Sequence, residues 1–351
     1  MRSSYKKEDV ILLLKDITGM VKPQSTEERE KLIQSGRHYS EMLPEEYVPS
    51  EKYMEAYRDA LRNFAKPTAL AAGRLADKIM EQRGDNVVLV SLARAGIPVG
   101  ILIKRYIFFK YKKNVPHYSI SIIRGRGIDD NAMKYLLDRY EPERLLFVDG
   151  WIGKGAIYNE LKKDIEAYKG VSSQIAVLAD PADITDLCGT HEDILIPSSC
   201  LNSTVSGLIS RTFLREDIIG ENDFHGAVYY GELADADLSY EFINAIEKEF
   251  ETDNSSSEPV RANSGSGLEE VISIAEKFGI DDINLIKPGI GETTRVLLRR
   301  VPWKVLIDSS HKDDLQLEHL IKLAEEKNVP VEYYPLKHYK CCGIIKKLAD
   351  A

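Results

Sequence analysis

The chain has 351 residues, 43% hydrophobic and 29% charged, a balance that excludes wholesale disorder and a length that suggests roughly two to three domains. Its formal net charge of -9 excludes a uniformly basic nucleic-acid protein, yet from Arg261 onward 14 Lys plus Arg meet 14 Asp plus Glu, so the acidic excess lies upstream. Apolar runs such as 87–90 and 101–103 are too short to span a bilayer, and the start Met1-Arg2-Ser3-Ser4-Tyr5-Lys6 lacks a signal peptide's apolar centre. A cytoplasmic protein without membrane contact is expected.

Residues 1–65, with Pro44, Pro49 and many Tyr and Glu, read as an N-terminal cap. Ala71, Ala72, Leu75, Ala76 and Ile79 then carry a helical period. Residues 87–91, 118–123, 145–148 and 175–179 are apolar runs without alternation, as strands covered on both faces should be, and Ile157, Leu161 and Ile165 mark a helix after the third. The order predicts an α/β domain over 66–250 with a doubly wound parallel sheet, whose ligand loops follow the carboxyl ends of the strands. Residues 251–267, rich in Ser, Asn and Gly, read as a linker. Beyond it, Leu268, Val271, Ile272 and Ala275, and then Leu317, Leu320, Ile321 and Ala324, predict two amphipathic helices, alternating with strand-like runs at 304–307 and 331–334. A second, small α/β domain over 268–351 follows.

The strongest local signal is Val148-Asp149-Gly150-Trp151-Ile152-Gly153-Lys154-Gly155. A strand ends in a carboxylate, glycines let the backbone approach an anion, and a helix begins with free amides, an arrangement suited to phosphate with Lys154 adding charge. It reads equally as an ordinary tight turn. A second strand-to-helix loop, Ser91-Leu92-Ala93-Arg94-Ala95-Gly96, suggests a ligand with two phosphate ends. Between them Arg124-Gly125-Arg126-Gly127-Ile128-Asp129 reads as a mobile lid whose arginines close over a polyanion, or as a solvated basic turn.

These three loops resemble type I phosphoribosyltransferases. Residues 10–237, through Gly36-Arg37-His38-Tyr39-Ser40-Glu41, Val148-Asp149-Gly150-Trp151 and Ser199-Cys200-Leu201-Asn202-Ser203-Thr204, resemble more closely the StiP or phosphoribosyltransferase-like family of bacterial tellurium-resistance and stress gene clusters. The resemblance implies a type I phosphoribosyltransferase-like fold and transfer of a phosphoribosyl group from phosphoribosyl pyrophosphate, or a related compound, to or from a nucleobase-like acceptor. Arg94, Ala95, Gly96, Asp149, Gly150, Gly153, Lys154 and Gly155 would bind the phosphates. Asp149 would sit by the cationic ribose and hold magnesium, through water where needed, and Arg124 and Arg126 would close the site. Departures stand out: Gly150 occupies the place of the usual second acid, and Lys154-Gly155-Ala156-Ile157 replaces a Thr-Gly-Gly-Thr-like cradle.

The StiP label is also attached to cysteine proteases. Of the four cysteines, Cys188, Cys200, Cys341 and Cys342, none shows metal-site spacing, and free thiols are expected. Cys200 lies in Pro197-Ser198-Ser199-Cys200-Leu201-Asn202, with His191 and His225 near in sequence. It reads as a nucleophile, as a buried structural thiol, or as part of an acceptor pocket with Ser198, Ser199 and Asn202, which His38 could complete from the cap.

In the C-terminal segment, Lys287-Pro288-Gly289-Ile290-Gly291-Glu292-Thr293-Thr294-Arg295 opens a helix, followed by Arg299 and Arg300. It resembles the L7Ae and Pelota superfamily over 268–347, with Gly291 in the place of an Asn and Arg295 in that of a Lys. This implies RNA contact through Gly289, Gly291, Glu292, Arg295 and Arg299; a protein-protein module and a non-catalytic RNA-binding regulator stay open, as does a homo-oligomer.

Overall fold

The computed structural model describes residues 1–253 and 266–347. Most of the linker expected at 251–267, and the chain beyond residue 347, lie outside the described residues.

The main sheet has six parallel strands, β1 (Ile11–Leu12), β2 (Val88–Leu92), β3 (His117–Ile120), β4 (Leu145–Trp151), β5 (Ile175–Ala179) and β6 (Cys188–Thr190), in the order β1-β3-β2-β4-β5-β6. Six helices accompany it: α1 (Thr26–Gln34), α2 (Glu51–Arg83), α3 (Gly96–Tyr111), α4 (Asp130–Leu137), α5 (Ala156–Ile165) and α6 (Ser239–Glu247). Leu146 and Val148 point into one core layer with α2, α3 and α6, whereas Leu145 and Phe147 point into a second with α4 and α5. Helices on both faces explain the unbroken apolar runs of β2 and β5, which are buried throughout.

The chain leaves β2 toward β3 on one side and leaves β4 toward β5 on the other, so the sheet has its switch point between β2 and β4. A crevice opens there at the carboxyl ends. A Cβ at Gly96 would lie 2.3 Å from the Val148 carbonyl oxygen, so only glycine lets the loop after β2 press against β4.

The first 65 residues are not a separate cap. β1 within them is the sheet edge, and α2 runs through residue 65 unbroken, with Ser50 capping its start and Pro67 inside it. Only α1 and the turn Tyr39–Glu41 reach over the crevice.

The C-terminal unit comprises α7 (Gly267–Phe278), β7 (Ile286–Pro288), α8 (Ile290–Arg299), β8 (Pro302–Ile307), α9 (Glu318–Glu326), β9 (Val331–Tyr333) and β10 (Cys341–Ile345), its sheet ordered β7-β10-β8-β9. Helix α7 opens with a Ser266–Glu269 capping box. Its buried face is Val271, Ile274 and Ala275, while Leu268 and Ile272, expected inward, are 41% and 42% exposed. Leu297, Leu317, Leu320 and Ala324 join the same core layer as α2, so the unit is docked rather than merely tethered. Among the described residues no helix is long and apolar enough to cross a membrane.

Candidate functional site

The crevice is built by two loops in contact. Gly150 lies against Ala95, and the Gly150 amide donates to Asp149 Oδ1 at 2.7 Å. Gly155 adopts φ 82°, a left-handed conformation that side chains rarely take, so the turn into α5 favours glycine there. Arg94, with its side chain 6% exposed, pairs with Glu46 (2% exposed) at 3.3 Å and donates to the Ile209 carbonyl.

The C-terminal unit closes over this loop. Tyr339 Oη donates to the Gly153 carbonyl at 2.7 Å, and Lys154 Nζ donates to the Ile283 and Ile286 carbonyls. Asp193, just past β6, accepts from the Ile290 amide at the start of α8 and from the Lys340 amide, both at 2.9 Å. A carboxylate at a helix N-terminus satisfies the free amides and the dipole together. Gly289 and Gly291 therefore face the large domain, not solvent: a Cβ at Gly291 would lie 2.3 Å from Trp151 Cε2. Arg295 stacks on the Trp151 indole, 4.4 Å from its centroid, and pairs with Glu292, while Arg299 donates to Asn202.

Between the two units lies a cleft of about 890 Å³. It brings together Arg94, Ala95, Arg124, Asp149, Gly153, Lys154 and Gly155 with Glu292, Arg295 and Arg299, two sets assigned to different ligands by sequence reasoning. Eleven Lys and Arg line it against four Asp and Glu, so a chain of net charge -9 presents a cationic cleft. Arg300, read with Arg295 and Arg299 as a run of cations, also lines it, as do Lys287 and Arg37, which were not singled out as ligand residues although Lys287 opens the glycine motif in sequence. Burial pushes Asp149 up to about 6 and Lys154 down to about 7, the latter helped by Lys287 and Arg124.

Arg126 does not join the cleft. It pairs with Glu41. The expected lid is a short hairpin, Ile122–Ile123 against Gly127–Ile128, tied down on both sides. Tyr39 Oη accepts from the Arg124 amide, Glu160 from the Gly125 amide and Asp164 from the Ile128 amide. As for magnesium, Asp149 is a single carboxylate, and no group of three His, Cys, Asp or Glu among the described residues could hold a metal ion. These residues do not form a protein-built metal site.

The thiols sort themselves clearly. Cys200 is fully buried in the turn after residue 196, and burial pushes its thiol up to about 12. Neither sequence-near histidine serves it. His225 sits with Ser121 and Asp129, and His191 lies beside a different cysteine. Cys188 Sγ, on β6, is 3.3 Å from His191 Nε2, and His191 Nδ1 is 3.4 Å from Asp183 Oδ1 and 3.2 Å from the Asp180 carbonyl. Asp183 takes φ 56°, which turns the loop so that its carboxylate meets the ring. Sequence reasoning missed this group. The available signal was the Cys-x-x-His spacing at the end of a strand, preceded by Asp180 and Asp183.

The geometry defines a two-domain α/β protein with a parallel sheet, a composite cationic cleft and a thiol-imidazole-carboxylate group at the sheet edge. The chain belongs to the StiP family: the family described as tellurite-like stress resistance cysteine protease StiP matches residues 3–247. The PELOTA RNA binding domain family matches residues 265–347. A relative from Acinetobacter baylyi, cysteine protease StiP, is 35% identical over 98% of this chain and 94% of its own length. Two structures of a Bacillus anthracis hypoxanthine-guanine phosphoribosyltransferase align over 39% and 41% of this chain and 71% and 75% of theirs, at 17% and 15% identity and TM-scores of 0.23.

These findings overturn the transferase expectation. The family, matched over residues 3–247, and the curated relative, matched over 98% of the chain, are both named as cysteine proteases, and glycosyl transfer from phosphoribosyl pyrophosphate falls with that correction.

Proposed function

We propose that this protein is a thiol peptidase whose nucleophile is Cys188, with His191 as its base and Asp183 orienting the imidazole, and that its C-terminal domain contacts RNA. The class is supported by the family match. The assignment within the chain is carried by one observation, the 3.3 Å approach of Cys188 Sγ to His191 Nε2. His191 takes the thiol proton, and the thiolate attacks the peptide carbonyl carbon. The C–N bond breaks as the proton passes to the leaving amine, and water then hydrolyses the thioester. Asp183 and the Asp180 carbonyl face Nδ1, which fixes the ring with Nε2 toward sulfur. Cys188 is buried, so the segment 180–187 that leads into β6 must shift to admit a substrate.

The test is peptide cleavage by the full chain and by single variants. Cys188→Ala and His191→Ala should abolish cleavage, and Cys200→Ala should retain it. Retention of activity in Cys188→Ala overturns the assignment. RNA contact is supported by the match of residues 265–347 to the RNA-binding family.

A further inference from the structure

The glycine motif expected to enter RNA is turned inward against Trp151, so an outer-face mode of recognition is closed to it in this arrangement. We infer that RNA is held instead in the cleft between the two units, as an unpaired strand, with the large domain's Arg37 and Arg124 supplying phosphate contacts alongside Lys154, Lys287 and Arg299. This rests on the RNA reading above and locates it.

Three features carry the inference. The first is how the cleft cations are satisfied. Arg300 is neutralised by Glu30 and Arg295 by Glu292, and Arg37, 3.7 Å from Glu41, shares that carboxylate with Arg126, but Arg124 donates to the Asn284 amide oxygen at 2.8 Å, Lys154 to two backbone carbonyls, and Arg299 to Asn202. Neutral oxygens hold those side chains in place, and the carboxylates that act on them are shared, Glu292 with Arg295 and Lys287 and Glu46 with Arg94, so positive charge stays in excess. Crowded like charges raise the free energy of the unliganded cleft, and a phosphate relieves it; Lys154 and Lys287 are both pushed down in pKa by burial and by neighbouring cations.

The second is the presence of stacking surfaces. His38, Tyr39 and Tyr158 line the same cleft, with the His38 and Tyr39 rings 4.6 Å apart. Cations that follow a backbone, interleaved with rings that accept bases, are what unpaired nucleic acid requires. The third is size. A volume of about 890 Å³ lies in the range of small-ligand pockets, which admits single nucleotides of an unpaired strand and excludes a duplex.

The experiment is fluorescence anisotropy of a labelled single-stranded RNA oligonucleotide with the full chain, across a salt series. The double variant Arg37→Ala, Arg124→Ala should bind about 10-fold more weakly, with a salt slope lower by roughly one per residue removed, whereas Arg62→Ala, on the exposed face of α2, should match wild type. A matching hairpin duplex should bind more weakly than the single strand. If wild type binds RNA and the double variant binds equally well, the cleft location is wrong while the RNA reading stands. If wild type binds neither single strand nor hairpin, the RNA reading itself fails. Circular dichroism melts of the variants verify that folding is intact, and Arg124→Lys should recover part of the affinity.

Discussion

Trp151, the last residue of β4, lies under the Arg295 guanidinium of α8, 4.4 Å from its carbon to the ring centroid, with Gly291 packed against the indole edge. A residue at the carboxyl end of a central strand of the large domain thus has its aromatic face covered by the C-terminal unit. The two family matches divide the chain near residue 265, but the packing does not respect that division.

Gly291→Ala should disrupt this contact, because the added methyl would lie 2.3 Å from Trp151 Cε2 and neither helix nor indole can yield freely. The cost is expected at about 1–3 kcal/mol, as for other overpacked positions. Thermal unfolding should show a lower Tm. Native fluorescence should shift to the red, since Trp303, the second tryptophan, is already 39% exposed.

Glu46→Gln should cost about 3–5 kcal/mol in urea unfolding, since it leaves the Arg94 guanidinium buried without its partner. The pH dependence has a definite sign. Burial opposes the Glu46 carboxylate, but Arg94 and Arg299 outweigh it and hold its pKa below the usual value. Its contribution is therefore complete above about pH 4.3 and is lost as pH falls through the folded value. The wild type should have a steeper acid limb than the variant.

His117 and His319 act over a higher window. Burial drives both down to about 3, so the folded protein keeps them neutral while the unfolded chain protonates them near its ordinary value of about 6.5. The unfolded state then binds more protons, and stability falls as pH drops from about 6.5 toward 3. Replacing His319 by Gln, which can still meet Thr294, should flatten this part of the profile in urea titrations at several pH values.

Lys154, lowered to about 7, gives the cleft a titration near neutrality. Its charge is present below that value and is lost above it. RNA affinity, followed by anisotropy, should decline from about pH 6 to about pH 8.5, and Lys154→Gln should weaken binding and remove most of that dependence.

Much of the fold was legible in the residues. The runs at 87–91, 145–148 and 175–179 lie on β2, β4 and β5 because strands covered on both faces need no polar alternation. The glycine loops lie at the switch point for the same topological reason. The N-terminal region was less readable, because a two-residue edge strand carries no period and Pro67 falls inside a 33-residue helix. Leu268 and Ile272 share α7's spacing with its true inner face, so periodicity alone could not set the phase. The cleft was half legible: its cations were visible, but their meeting depends on docking through Asp193, Tyr339 and Trp151, residues far apart in the chain. The Cys188 group was hidden because β6 is only three residues long, Cys-Gly-Thr, with a glycine that permits the close approach of α2 at Ala71. Cys200, in a richer polar phrase, drew attention, but the histidines near it in sequence meet Cys188, Ser121 and Asp129 instead.

The most direct measurement is mass-spectrometric mapping of the first thiol alkylated by a peptidyl electrophile in the native full-length protein, run beside peptide cleavage by Cys188→Ala and Cys200→Ala. Adduct formation at Cys188, suppressed in His191→Ala, together with loss of cleavage only in Cys188→Ala, is the expected result. Modification at Cys200 with cleavage surviving in Cys188→Ala would contradict the account.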